Sequence, residues 1–131
     1  LKSVDGGRVW FYQAECSHND ARALKAVDEN TAYVGTNNGH LCKTVDGGNS
    51  WTALTGTWGG RDFQELDVAP DNPSVVYAAA LVLYKSIDGG QTWTDFSMSS
   101  SIYSVSLVDQ NVVWLIRMSS VLVWWCVLFS G

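Results

Sequence analysis

Ser3-Val4-Asp5-Gly6-Gly7-Arg8-Val9-Trp10, Thr44-Val45-Asp46-Gly47-Gly48-Asn49-Ser50-Trp51 and Ser86-Ile87-Asp88-Gly89-Gly90-Gln91-Thr92-Trp93 are three copies of one phrase, with aspartates 41 and then 42 residues apart. A fixed period of that length marks an array of small supersecondary units. Each phrase is turn chemistry. Glycine reaches positive φ without a Cβ penalty, and an Asp side chain accepts hydrogen bonds from backbone amides just ahead of it. The flanks, Lys2-Ser3-Val4, Lys43-Thr44-Val45 and Lys85-Ser86-Ile87 before the turn and a Trp in a β-prone stretch after it, read as strands. Each copy is therefore expected to be a hairpin with a polar connection.

The pattern Ser/Thr-x-Asp-Gly-Gly-x-x-Trp resembles the Asp-box, or bacterial neuraminidase repeat. That repeat is shared by sialidases, xyloglucanase-type glycoside hydrolases, sortilin-type receptors and photosystem II assembly factors. The resemblance implies an all-β propeller, with each box on the turn between the third and fourth strands of a blade and away from the active face. It implies a structural role for Ser3, Asp5, Gly6, Gly7 and Trp10, for Thr44, Asp46, Gly47, Gly48 and Trp51, and for Ser86, Asp88, Gly89, Gly90 and Trp93. The string Leu66-Asp67-Val68-Ala69-Pro70-Asp71-Asn72-Pro73-Ser74-Val75-Val76-Tyr77 is similar to the first hairpin of sortilin-like and xyloglucanase-like blades. Together these resemblances cover residues 1 to about 115 and specify fold better than function.

Internal comparison places the same frame on the chain. Residues 21–55 and 62–97 each read as a blade of four antiparallel strands. Residues 1–14 supply only strands three and four of a blade, and 102–131 supply strands one and two plus an irregular apolar strand. Strands at the two ends would together complete one blade, which makes three blades' worth. A propeller ring takes about four to eight blades. The expected state is thus a homo-oligomer, two copies giving six blades, or a segment of a longer propeller whose remaining blades close the ring.

The C-terminal run Val121-Leu122-Val123-Trp124-Trp125-Cys126-Val127-Leu128-Phe129 falls where the next box is due, without its Asp, double Gly or Trp. Three readings stay open: a buried strand at a blade or subunit interface, a membrane anchor, or an altered end of the coding sequence. The uninterrupted run is half of the roughly 20 residues that a span needs, so no membrane span is expected. The formal net charge of −5 leaves no basic footprint for nucleic acid. Cys16, Cys42 and Cys126 have no paired spacing for zinc; free buried thiols are expected, with a single bridge such as Cys16 to Cys42 left open. Leu1 opens the sequence and no signal peptide is recognisable, which points to a processed chain or one cut from something longer.

No catalytic constellation emerges. His18 and His40 lie in polar loops outside any nucleophile motif, and the box aspartates are committed to turns. The sialidase resemblance would demand several arginines around a substrate carboxylate; Arg8, Arg22, Arg61 and Arg117 do not sit in that family's arginine element. Neither a metal nor a cofactor is expected. A binding or assembly scaffold is the better class, located extracytoplasmically or secreted, with a protein or a glycan as ligand. The alternative is a fragment of a glycoside hydrolase propeller that contributes to carbohydrate binding. Blade topology puts the ligand loops at 13–20, 55–62 and 97–101, opposite the boxes. Trp58, Arg61 and Asp62 are the candidate binding residues, since an exposed Trp beside an Arg stacks on a sugar or anchors a protein hot spot. Trp58 covering the neighbouring blade is the other reading.

Overall fold

A computed structural model describes residues 1–17, 20–96, 101–118 and 123–129; at 118 and over 123–129 it describes the backbone alone. Three antiparallel sheets follow one another along the chain. The first holds β1 (Ala21–Ala26), β2 (Ala32–Thr36), β3 (Leu41–Thr44) and β4 (Thr52–Leu54) in sequential order. The second repeats that order with β5 (Glu65–Ala69), β6 (Asn72–Ala79), β7 (Leu83–Ser86) and β8 (Thr94–Phe96). The third holds β9 (Ile102–Leu107), β10 (Val112–Met118) and β11 (Val123–Phe129), with β10 in the middle.

Local chemistry explains the turns. Between β1 and β2, Asp28 Oδ1 accepts the N–H groups of Asn30 and Thr31 at 2.8 and 2.7 Å, which bends the chain back on itself. Between β2 and β3 a single 3-10 turn, Asn37–Gly39, places Asn38 and Gly39 at φ 61° and 74°, where Asn and Gly are tolerated best. The shorter Ala-rich turn between β6 and β7 closes with Ala80 N–H donating to Val82 O at 3.0 Å.

Alternation then builds two apolar layers between the sheets. Odd-numbered residues of the first sheet, Ala23, Tyr33 and Leu41, meet Leu66, Val68 and Val76 of the second. The opposite face of that second sheet, with Val75, Tyr77 and Leu83, packs on Ile102, Val105 and Val113 of the third. A period of two along each strand sends alternate residues to opposite layers, so the middle sheet is buried on both faces.

The innermost strands β1, β5 and β9 are adjacent, and Asp67 of β5 joins them. Its carboxylate takes Lys25 Nζ at 2.7 Å from β1 and Leu107 N–H at 2.7 Å from β9. Glu65 Oε2 makes a second such link, accepting Val105 N–H at 3.2 Å.

Two expectations need correction at the ends. The N-terminal segment does not form a strand pair: one isolated bridge, Lys2 to Phe11, is all the ladder it has. Its outer face carries Val4, Val9, Trp10 and Tyr12 exposed, so too little is buried to hold strands flat. The apolar C-terminal strand, in turn, is regular. It pairs with β10 through seven consecutive residue pairs, from Val112 with Phe129 to Met118 with Val123. It occupies the third-strand place of its sheet, which the N-terminal hairpin was expected to fill.

Asp67→Ala is expected to destabilise the fold by about 3 kcal/mol, because it strands a buried N–H and removes the partner of Lys25. Urea denaturation of the variant checks this; an unchanged midpoint would remove Asp67 from its linking role.

Candidate functional site

The boxes are built alike. In the second, Thr44 Oγ1 donates to Asp46 Oδ1 at 2.8 Å and accepts Gly48 N–H at 2.9 Å, while Ser50 N–H donates to the same carboxylate at 2.9 Å. In the third, Ser86 Oγ donates to Asp88 Oδ1 at 2.7 Å, and the N–H groups of Gln91 and Thr92 donate to it at 3.0 and 2.9 Å. The first repeats this with Ser3, Asp5, Arg8 and Val9. Gly6, Gly7, Gly47, Gly48, Gly89 and Gly90 all hold positive φ, which is why the phrase needs two glycines.

Hydrogen bonds to the ionised form hold these carboxyls low. The Ser50 hydroxyl and N–H bring Asp46 down to about 2, and the Thr92 hydroxyl and N–H do the same for Asp88. Asp5 is lowered chiefly by Val9 N–H, with no hydroxyl at residue 9 to add to it. Such groups remain anions at neutral pH and cannot serve as general acids.

Tryptophans close two of the boxes. Trp10 Nε1 donates to Gly7 O and Trp93 Nε1 to Gly90 O, each at 3.0 Å. Trp51 differs: its Nε1 is buried without a partner, and Gly48 O accepts Ala14 N–H instead.

Trp58, Arg61 and Asp62 sit together in the connection from β4 to β5, at the end of the sheets opposite the boxes. The exposed-tryptophan reading is overturned, because Trp58 is only 4 % exposed. Its ring makes edge contacts with Phe63, Tyr84 and Trp93 at centroid distances of 5.6 to 5.7 Å. Gly56 permits this, since a Cβ there would fall 1.9 Å from the ring. Arg61 Nη1 donates to Tyr84 Oη at 3.0 Å, and Asp62 Oδ1 accepts Asn38 N–H at 3.1 Å. Trp58 and Arg61 brace the loop against the core, while exposed Asp62 ties it to the turn between β2 and β3. Of the other loops named from sequence, His18, Asn19 and 97–100 lie outside the described residues.

Cys16 and Cys42 are joined in a disulfide with Cα atoms 5.8 Å apart, which corrects the expectation of free thiols. The bond pins the N-terminal segment to β3. Cys126 lies where only the backbone is described. Among the described residues no group of His, Cys, Asp or Glu could hold a metal ion, and no helix is long and apolar enough to cross a membrane.

Sequence reasoning missed a groove of about 820 Å³ between residues 1–17 and the face of β1 and β2 that carries Leu24, Ala26 and Val34. Lys2, Tyr12 and Gln13 form its outer wall, and Gly47, Gly48 and Trp51 its end. Register identifies this face. Leu24 pairs with Val34 as Leu66 pairs with Ala78, so Leu24 and Leu66 are counterparts. Leu66 is 3 % exposed between the first and second sheets, whereas Leu24 is 67 % exposed. The groove is the place where a further blade's inner strands would lie.

No protein-family model matches the sequence, and no curated protein matches it. Solved structures do. YCF48 from Cyanidioschyzon merolae superposes with a TM-score of 0.76 at 17% identity, over 97% of this chain and 43% of that one. The fold is a β-propeller's, with the ring incomplete. YCF48 bound to D1 peptide gives 0.66 at 15% identity over 76% of this chain and 38% of that one. A GH74 enzyme of Niastella koreensis gives 0.59 at 21% identity over 69% and 16%. The chain spans less than half the length of these YCF48 structures, and the likeness concerns fold alone.

Trp58→Ala is expected to cost about 3 to 5 kcal/mol of stability by opening the aromatic cluster, readable in thermal unfolding. Acid titration reads the boxes. The folded pKa values of Asp46 and Asp88 lie below the ordinary 3.8, so their contribution is complete above about pH 4 and is lost as pH falls towards about 2. Asp46→Asn with Asp88→Asn should flatten the fall in melting temperature across that window; an unaltered slope would contradict the assignment.

Proposed function

We propose that this chain is a non-catalytic propeller module that binds or assembles protein partners through open blade faces. The observation that carries the reading is the groove: a face equivalent to a buried blade interface, bearing Leu24 at 67 % exposure, with an outer wall already in place. An apolar face shaped for β-structure is a binding surface for polypeptide. The likeness to YCF48 bound to D1 peptide is compatible with a protein partner. The disulfide supports an extracytoplasmic location, where such bonds persist.

The box phrase itself serves as the structural clasp of each blade, as its resemblance to the Asp-box implies, and takes no part in chemistry. Its aspartates are spent on turn hydrogen bonds and held ionised. The similarity to GH74 enzymes speaks for the alternative, a glycoside hydrolase fragment that contributes to carbohydrate binding; buried Trp58 offers it no stacking platform.

Native mass spectrometry combined with turnover assays on β-glucans and sialosides tests the reading. A scaffold shows no turnover and forms a discrete complex, with its own copies or with polypeptide supplied as further blades, that is weakened at least about tenfold by Leu24→Glu. Hydrolysis of any of these glycans, or complexes indifferent to Leu24→Glu, would overturn it.

A further inference from the structure

The junction between the first and second sheets shows what a blade face is built to receive. There one carbonyl, Gly89 O, accepts two donors from the preceding blade: Lys43 Nζ at 2.9 Å and Tyr33 Oη at 3.0 Å. Lys43 stands three residues ahead of its own box aspartate and pairs across the ladder with Tyr33. The lysine and tyrosine thus reach forward together to the first glycine of the next box.

One blade earlier the same device is half present. Lys2 also stands three residues ahead of its box aspartate, and its Nζ donates to Gly47 O at 3.5 Å and to Glu29 O. Gly47 is the first glycine of the next box, as Gly89 is. Among the described residues no aromatic hydroxyl joins Lys2 on that carbonyl. The strand that would carry it is the one whose place is the groove, beside Leu24.

We propose that the groove is the seat of a two-stranded antiparallel β-hairpin whose second strand carries a tyrosine. The hydroxyl donates to Gly47 O beside Lys2, and small apolar neighbours on the hairpin cover Leu24, as Ala23 and Tyr33 cover the second sheet. The occupant is a hairpin from further polypeptide, not a second copy of this one. The second copy's equivalent hairpin, β9 with β10, already carries β11 in the third-strand place, which at the groove belongs to the segment of Lys2, so seating that hairpin would set β11 where Lys2 stands. This inference rests on the scaffold reading and narrows its partner to one shape and one side chain.

The test is the full chain extended ahead of Leu1 by a second copy of residues 21–41. Added there, the segment brings its own tyrosine to the same distance from Lys2 as Tyr33 lies from Lys43. Carbene footprinting read by mass spectrometry is expected to show Leu24 losing label about tenfold relative to the unextended chain, as its exposure falls from 67 % towards the 3 % of Leu66. Tyr33→Phe in the added copy alone should lower the seated population about fivefold, and Leu24→Glu should abolish protection. Unchanged labelling of Leu24, or equal protection with the phenylalanine, overturns the inference. Protection of Leu24 in the unextended chain that grows with protein concentration also overturns it, since a second copy is then the occupant; the scaffold reading survives that outcome.

Discussion

A single carboxylate holds the three sheets in register with one another. Asp67 lies near the innermost edge of the middle sheet, ion-paired to Lys25 of the first and hydrogen-bonded to the backbone of Leu107 in the third. Apolar layers fix the spacing between sheets but tolerate sliding, because dispersion contacts have no direction. Directional bonds from one side chain to two neighbouring strands remove that freedom. Glu65, two residues earlier on the same strand, extends the restraint along β9. The outer part of the junction between the first and second sheets is held by a different device, Lys43 reaching to a box carbonyl, so that junction is tied at both ends around an apolar middle.

This division of labour explains what could be read from the sequence. The boxes were legible because everything they do is local: Asp46 bonds to residues within four positions of itself, and the glycines answer a backbone need at their own sites. Order and pairing of β1 to β8 followed from the same period. Trp58 was only half legible, with exposure and cover of the neighbouring blade both open, and the second holds. A Thr-Trp-Gly-Gly-Arg loop looks solvent-exposed by composition, and only the approach of Phe63, Tyr84 and Trp93, up to 35 residues away in sequence, puts the ring inside. The disulfide stayed undecided for a similar reason, as Cys16 and Cys42 meet through tertiary placement of the N-terminal segment and have no spacing signature.

The two ends of the array teach opposite lessons. At the C-terminus the motif vanished from the sequence while the strand persisted, because β11 needs only backbone partners and β-prone residues to pair with β10. At the N-terminus the motif was intact while the strands were not, because a box organises its own turn but cannot supply the inner strands against which a hairpin flattens. A turn motif and a sheet are separable, and counting one does not count the other.

The lysine contacts run one way. Lys2 reaches the second box and Lys43 the third, and among the described residues neither bond has a counterpart pointing back. The array therefore has a polarity, with a giving end and a taking end that are chemically distinct. Any partner that continues the pattern must join in the same sense, a giving end set against a taking end, so like ends of two copies cannot meet through these contacts. Growth of such an array is vectorial, and it stops only when the last giver meets the first taker.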